Sequence, residues 1–213
     1  MAKDLTAAQS KMRQSICDAA LMLIKRDGQS AVSMRAIAQM LGVSPMMPYN
    51  YFAGKDDLLL DLRIRLFHQF AEYMGERVLG DNPALRLVDV ARAYLGYGAE
   101  YPHEYRLMFD EWNFEDFRAI RQKYPVNHFR NDEPWDIVRG CVADCLPDQD
   151  ADRIDGIAHL IWFQLHGLIS LHLSRKLVFG PGMNDLIDST IDAVLAITTA
   201  ALDGRKCDFQ RHV

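Results

Sequence analysis

The run Ser44-Pro45-Met46-Met47-Pro48-Tyr49-Asn50-Tyr51 crowds hydroxyl, amide and thioether side chains into one short stretch. Hydroxyls and amides can donate to phosphate oxygens or read base edges, and a Met side chain can touch a thymine methyl. Arg35 and Lys55 lie on either side of it, each at the start of an expected helix, where a cation and free backbone N–H groups suit a phosphate. Ser33, just before Arg35, is an expected helix cap. The DNA-contacting set read here is Ser33, Arg35, Ser44, Met46, Met47, Tyr49, Asn50, Tyr51 and Lys55. Charge supports that reading. The whole chain carries −5, but residues 1–55 hold seven Lys/Arg against three acids, a surplus of +4 that leaves −9 on the remainder. A small basic head on an acidic body is the asymmetry expected when only the head meets phosphate.

Other chemistry is less well supplied. Glu100 and His103 have the Glu-x-x-His spacing of a di-iron helix, but there is one such motif and Pro102 interrupts it. His159 and His166 stand two helical turns apart, with His172 beyond, so a metal-responsive sensor, or less readily a helical-bundle metalloenzyme, stays open as an alternative. Cys141 and Cys145 are one turn apart, and none of Cys17, Cys141, Cys145 and Cys207 forms a Cys-x-x-Cys pair. They read as small buried side chains in a reduced compartment. Gly-x-Ser-x-Gly, P-loop and Gly-x-Gly-x-x-Gly patterns are absent from the sequence. No catalytic residue, no metal ligand and no cofactor is expected, and the chain reads as not an enzyme.

The elements that must position these groups are helices. The 213 residues are 49% hydrophobic, enough for a small module and a larger one. No apolar run approaches the roughly 18 residues that span a bilayer, and the start lacks a secretory leader, so a cytoplasmic protein without membrane contact is expected. A first helix is expected over 6–27, capped by Thr6 and stopped by Gly28. A short helix over 34–41 follows, then the turn Gly42-Val43-Ser44, and a third short helix from Pro45 broken at Phe52-Ala53-Gly54. Further helices are expected over 55–79, 84–101, 102–112, 135–145, 151–177 and 184–202. The fold class is all-α: an N-terminal three-helix helix-turn-helix domain (1–55) and a larger C-terminal helical ligand-binding and dimerisation domain (56–213), about nine helices in total.

Ile16, Ala19-Ala20, Gly28, the run Val32 to Ala38, Gly42-Val43-Ser44 and above all Tyr49-x-x-Phe52-x-x-Lys55-x-x-Leu58 resemble the TetR/AcrR family of transcriptional regulators. The resemblance implies that Tyr49 and Lys55 contact phosphates and that Phe52 anchors the core. Pro48 departs from the family pattern, where Leu is usual, and Met46 and Met47 are bulkier than the residues common there. The stretch around Trp162, His166 and Gly167, with Tyr94 to Phe109 upstream, resembles the Trp-His-Gly subclass of the family's C-terminal domains. It implies a ligand-responsive repressor, a homodimer on a (pseudo)palindromic double-stranded operator, released by a small-molecule effector of apolar or aromatic character.

Aromatic walls with a few polar tips suit such a ligand, which singles out Tyr97, Tyr101, His103, Tyr105, Met108, Phe109, Trp112, Trp162, Phe163 and His166. The same stripe equally suits plain core. The last two helices are apolar on more than one face and must be buried within the domain or against a copy. Leu165, Leu168, Leu186, Ile187, Ile191, Val194, Leu195, Thr198 and Leu202 are the expected dimer interface.

Overall fold

The computed structural model describes residues 6–109, 134–178 and 180–202. Trp112, residues 113–133 and Cys207 lie outside them. Among the described residues the chain forms eight α-helices and no strand. They are α1 (Ala7–Asp27), α2 (Met34–Leu41), α3 (Lys55–Gly75), α4 (Pro83–Glu100), α5 (Pro102–Phe109), α6 (Pro134–Cys145), α7 (Ala151–Leu173) and α8 (Met183–Leu202). Two compact units result. Unit 1 holds the described residues up to Phe67 together with 103–109, and unit 2 holds the rest. The division falls inside α3, which contributes to both.

In unit 1, local signals set the ends of the helices. Thr6 and Gln9 close a reciprocal capping box at the start of α1, and Gly28 (φ 82°) ends the helix with its N–H on the Ile24 carbonyl. The Ser33 hydroxyl accepts from the Ala36 N–H at 3.1 Å and starts α2. Gly42 ends α2 in the left-handed region (φ 66°, ψ 30°), while the Val43 N–H reaches back to the Ala38 carbonyl at 3.0 Å. A residue with Cβ costs about 1–2 kcal/mol in that conformation. Ile16, Ala19, Ala20, Leu23, Ile37, Ala38, Phe52, Leu58 and Leu62 form the core between α1, α2 and the start of α3. The α5 helix is held to α1 by an ion pair between Lys25 Nζ and the buried Glu104 at 2.5 Å, and Phe109 meets Phe67 edge to face.

In unit 2, α4 packs against α6, α7 and α8, and α7 packs against α6 and α8. Asn82 caps α4, with Pro83 in its first position. Leu87, Val90, Tyr94, Val138, Val142, Ile157, Ile161, Leu165, Ile169 and Val194 make the core. By length and composition α7 could cross a bilayer, although the sequence reads as lacking such a run. Here its Ile157, Ile161 and Leu165 stripe is buried in the helical core instead. The helix stops at Leu173, not 177. Arg175 adopts φ 55°, and the Lys176 and Arg175 N–H groups close back on the Leu171 and His172 carbonyls. That is a Schellman ending without the glycine that would have announced it.

Candidate nucleic-acid interface and sensor region

The third helix of the expected helix-turn-helix is not an α-helix. Residues 45–47 form a turn and Pro48–Asn50 a single 3₁₀ turn. The N–H groups of Met47, Asn50 and Tyr51 bond three residues back, to the carbonyls of Ser44, Met47 and Pro48. The cause is Pro48. It has no N–H to give to Ser44, and its ring crowds the carbonyl four residues before it. Because Pro48 is the fourth residue of the segment, the loss falls where the α pattern would have begun, and its effect is larger than a first-turn proline suggests.

The segment nonetheless presents an open face. Met46 is 67% and Tyr49 49% exposed, Ser44 and Asn50 are exposed, and Met47 and Tyr51 are half-buried. Pro48 and Phe52 turn inward, Phe52 with 1% exposure. Ser33 and Arg35 are exposed at the start of α2. Lys55, at the start of α3, is half-buried, and its ammonium donates to the Gln29 carbonyl at 2.9 Å. The lysine thus pins the turn after α1 as well as sitting beside the open face. Sequence pattern did not single out Arg13, Asp57 or Asp61, which also hold this region together. The Asp57 carboxylate accepts from the Ala53 N–H at 2.9 Å. Arg13 donates to the Tyr51 carbonyl at 3.1 Å and to Asp61 at 2.6 Å. Arg65 also donates to Asp61, at 2.9 Å. Cys17 directs its S–H to the same carboxylate, and burial pushes the thiol up to about 12, so it stays a donor. Arg13 and Cys17 meet partners 38, 48 and 44 positions away along the chain, so no local spacing reveals those contacts.

The ligand-site candidates divide between the units. His103, Tyr105, Met108 and Phe109 belong to unit 1, where Tyr105 and Met108 are buried and Tyr105 stacks at 4.6 Å on Phe109. Tyr97, Tyr101, Trp162, Phe163 and His166 belong to unit 2. There Tyr97 packs on Phe70 at 4.5 Å and on Tyr101 at 5.0 Å. Trp162 donates its indole N–H to the Tyr94 hydroxyl at 2.9 Å. His166 shares a hydrogen bond with the Ser170 hydroxyl at 3.1 Å. His159 Nδ1 lies 2.7 Å from the Asp155 carbonyl. Among the described residues no three His, Cys, Asp or Glu side chains gather as a metal site.

The expected dimer set falls into two groups. Leu165, Leu168, Ile191, Val194 and Thr198 are buried in the protomer's own core and have no surface left for a partner. Leu186, Ile187 and Leu195 are half-buried, and the side chain of Leu202 lies outside the described residues. The α7 helix carries apolar residues on two sides, and the expected set took Leu165 and Leu168 from the inner one. On α7 the open side carries Gly156, Leu160, Phe163 (58% exposed) and Leu171, with Gly167 half-open between them.

Comparison with known proteins places this architecture. Residues 16–62 match the family described as bacterial regulatory proteins, tetR family, and residues 87–194 match the tetracyclin repressor-like C-terminal domain. The HTH-type transcriptional repressor KstR of Rhodococcus jostii is 36% identical over 80 residues, 38% of this chain and 37% of the relative. The HTH-type regulator YobS of Bacillus subtilis is 32% identical over 97 residues, 44% of this chain and 49% of that protein. The aligned part of the chain thus spans less than half the length of either relative. The crystal structure of FadR from Bacillus subtilis in complex with stearoyl-CoA superposes with a TM-score of 0.65 at 18% identity, over 86% of this chain and 97% of the other, and shares the fold. With its two domain profiles in register and covering most of its length, the chain belongs to the tetR family of bacterial regulatory proteins.

Proposed function

We propose that the protein is a ligand-responsive transcriptional repressor that binds a (pseudo)palindromic operator as a homodimer and is released by a small molecule. The observation that carries the reading is the open face Ser44, Met46, Tyr49 and Asn50, set after a left-handed Gly42 turn on a basic head. Residues 1–55 read the DNA, with Ser33, Arg35, Met47, Tyr51 and Lys55 completing the contact set, and residues 56–213 sense and dimerise. Two copies are needed because recognition elements must meet successive major grooves about 34–36 Å apart. The surface we assign to the second copy is the open side of α7, from Leu160 through Phe163 and Gly167 to Leu171, with the half-buried Leu195 of α8 beside it. Support comes from spacing of three and four residues and from the room at Gly156 and Gly167, where an added Cβ would meet nothing within 4 Å.

The effector assigned to unit 2 is apolar or aromatic. The Phe70, Tyr94, Tyr97 and Trp162 cluster supports this, and so does stearoyl-CoA in the FadR relative. Such a ligand shifts the equilibrium only by its differential affinity for the DNA-competent and incompetent states. The element we assign to carry the shift is α3, which contributes to both units. The test is fluorescence anisotropy with operator DNA. Tyr49→Ala and Lys55→Ala lower affinity while sedimentation still shows a dimer, and wild-type affinity falls as salt rises. Two variants that bind like wild type would overturn the head assignment.

A further inference from the structure

The reading segment cannot hold itself. It is held mainly by three-residue hydrogen bonds, with one four-residue bond from the Phe52 N–H to the Pro48 carbonyl at 3.1 Å, and a stretch this short is unstable alone. Its exit is instead gripped from α1. Arg13 lies over the Phe52 ring with its guanidinium carbon 4.3 Å from the centroid. One of its amino groups donates to the Tyr51 carbonyl, the last of the segment, at 3.1 Å. The other donates to Asp61 on α3 at 2.6 Å. The planar fork of a guanidinium fixes the direction between two such acceptors, which an ammonium cannot do. Asp61 is itself held by Arg65 and Cys17, and Arg65 is also bonded to Gln14. Two helices, α1 and α3, therefore determine where Arg13 points, and Arg13 determines where the segment ends.

We propose that Arg13 is a positioning residue for DNA reading. It sets the place of the Ser44–Tyr51 segment through the Tyr51 carbonyl and the Phe52 ring, with Asp61 aiming it, and it does not touch DNA. Its side chain is 22% exposed and both of its terminal nitrogens donate inside the protein. The proposal rests on the DNA-binding reading above and adds a role that charge alone does not supply. A cation at a phosphate strengthens binding to any duplex. A positioning residue strengthens binding only where base edges must be met in register.

The experiment measures anisotropy with an operator selected by the wild-type dimer and with a scrambled duplex of equal length, across a salt series. Arg13→Met keeps the alkyl stem over Phe52 and loses both donations. It is expected to lose about tenfold to hundredfold in operator affinity, the loss of charge-assisted hydrogen bonds, with affinity for the scrambled duplex and the salt slope unchanged. Arg13→Lys keeps the charge but not the fork, and recovers only part of the loss. It also supplies the readout if Arg13→Met fails to fold. Equal losses on both duplexes with a salt slope shallower by about one would make Arg13 a phosphate contact and overturn the proposal. Full recovery by Arg13→Lys, or an Arg13→Met variant that binds operator like wild type, would overturn it too. A wild-type protein that selects no sequence overturns the DNA-binding reading itself, and the proposal with it.

Discussion

Gly167→Ala separates the two sides of α7 most cleanly. Within the protomer a Cβ at Gly167 meets nothing within 4 Å, so the substitution has no steric cost there. It removes a helix-interior glycine, which favours α7 by about 1 kcal/mol. That gain is the same in monomer and dimer and drops out of the dissociation constant. Only contact with a second copy remains. A two-fold interface brings the new methyl in twice, and overpacking a close helix approach costs roughly 1–3 kcal/mol for each. The expected result is a dimer dissociation constant raised about tenfold or more in sedimentation equilibrium, with the dilute monomer melting higher than wild type. An unchanged dissociation constant together with the higher melting temperature would refute the assignment of this side of α7 to the dimer. Leu165→Ala, by contrast, opens a cavity inside the protomer and costs about 2–5 kcal/mol of its stability.

Three further outcomes are expected. Tyr94→Phe leaves the Trp162 indole N–H without the acceptor it now meets at 2.9 Å, lowers stability by about 1 kcal/mol and changes Trp162 emission, whereas unchanged emission and stability would discount that bond. Burial pushes the Cys17 and Cys141 thiols from 9.0 up to about 12 and about 11. The unfolded thiols ionise first as pH rises, so the folded state binds more protons and stability falls above about pH 9. Alkylation of the native protein near neutral pH is therefore slow at both sites, read by mass spectrometry of the labelled peptides, and rapid labelling of Cys17 would contradict its buried bond to Asp61. Pro48→Ala restores an N–H opposite the Ser44 carbonyl and raises the helical circular dichroism signal, and an unchanged spectrum would mean that Pro48 does not set the 3₁₀ form.

Much of this architecture is written locally. Thr6 and Gln9, Gly28, Ser33, Gly42 and Asn82-Pro83 mark helix ends within a few residues of themselves, and the structure places the ends there. What escaped is non-local or unmarked. The α7 helix ends on a left-handed Arg175, a residue that gives no stop signal. Leu165 and Leu168 were drawn from the inner stripe because α7 is apolar on two sides, and only packing tells which one is already covered. Pro48 was legible as a missing donor, but its effect depended on where the segment's first α-type bond would fall. The Arg13–Asp61 pair joins residues 48 positions apart, beyond any pattern of period 3.6. The candidate DNA face was therefore readable residue by residue, while the clamp that holds it in place was not.

The central claim is that unit 1 reads DNA as one half of a dimer. Its most direct test is selection of bound fragments from the source genome by the purified wild-type protein, with a Tyr49→Ala, Asn50→Ala double variant in parallel. The account predicts enrichment of two inverted half-sites whose centres lie about one helical turn, roughly 10 base pairs, or a multiple of it apart, and no such enrichment by the variant. Fragments recovered without a shared motif, or the same motif recovered equally by the variant, would contradict it.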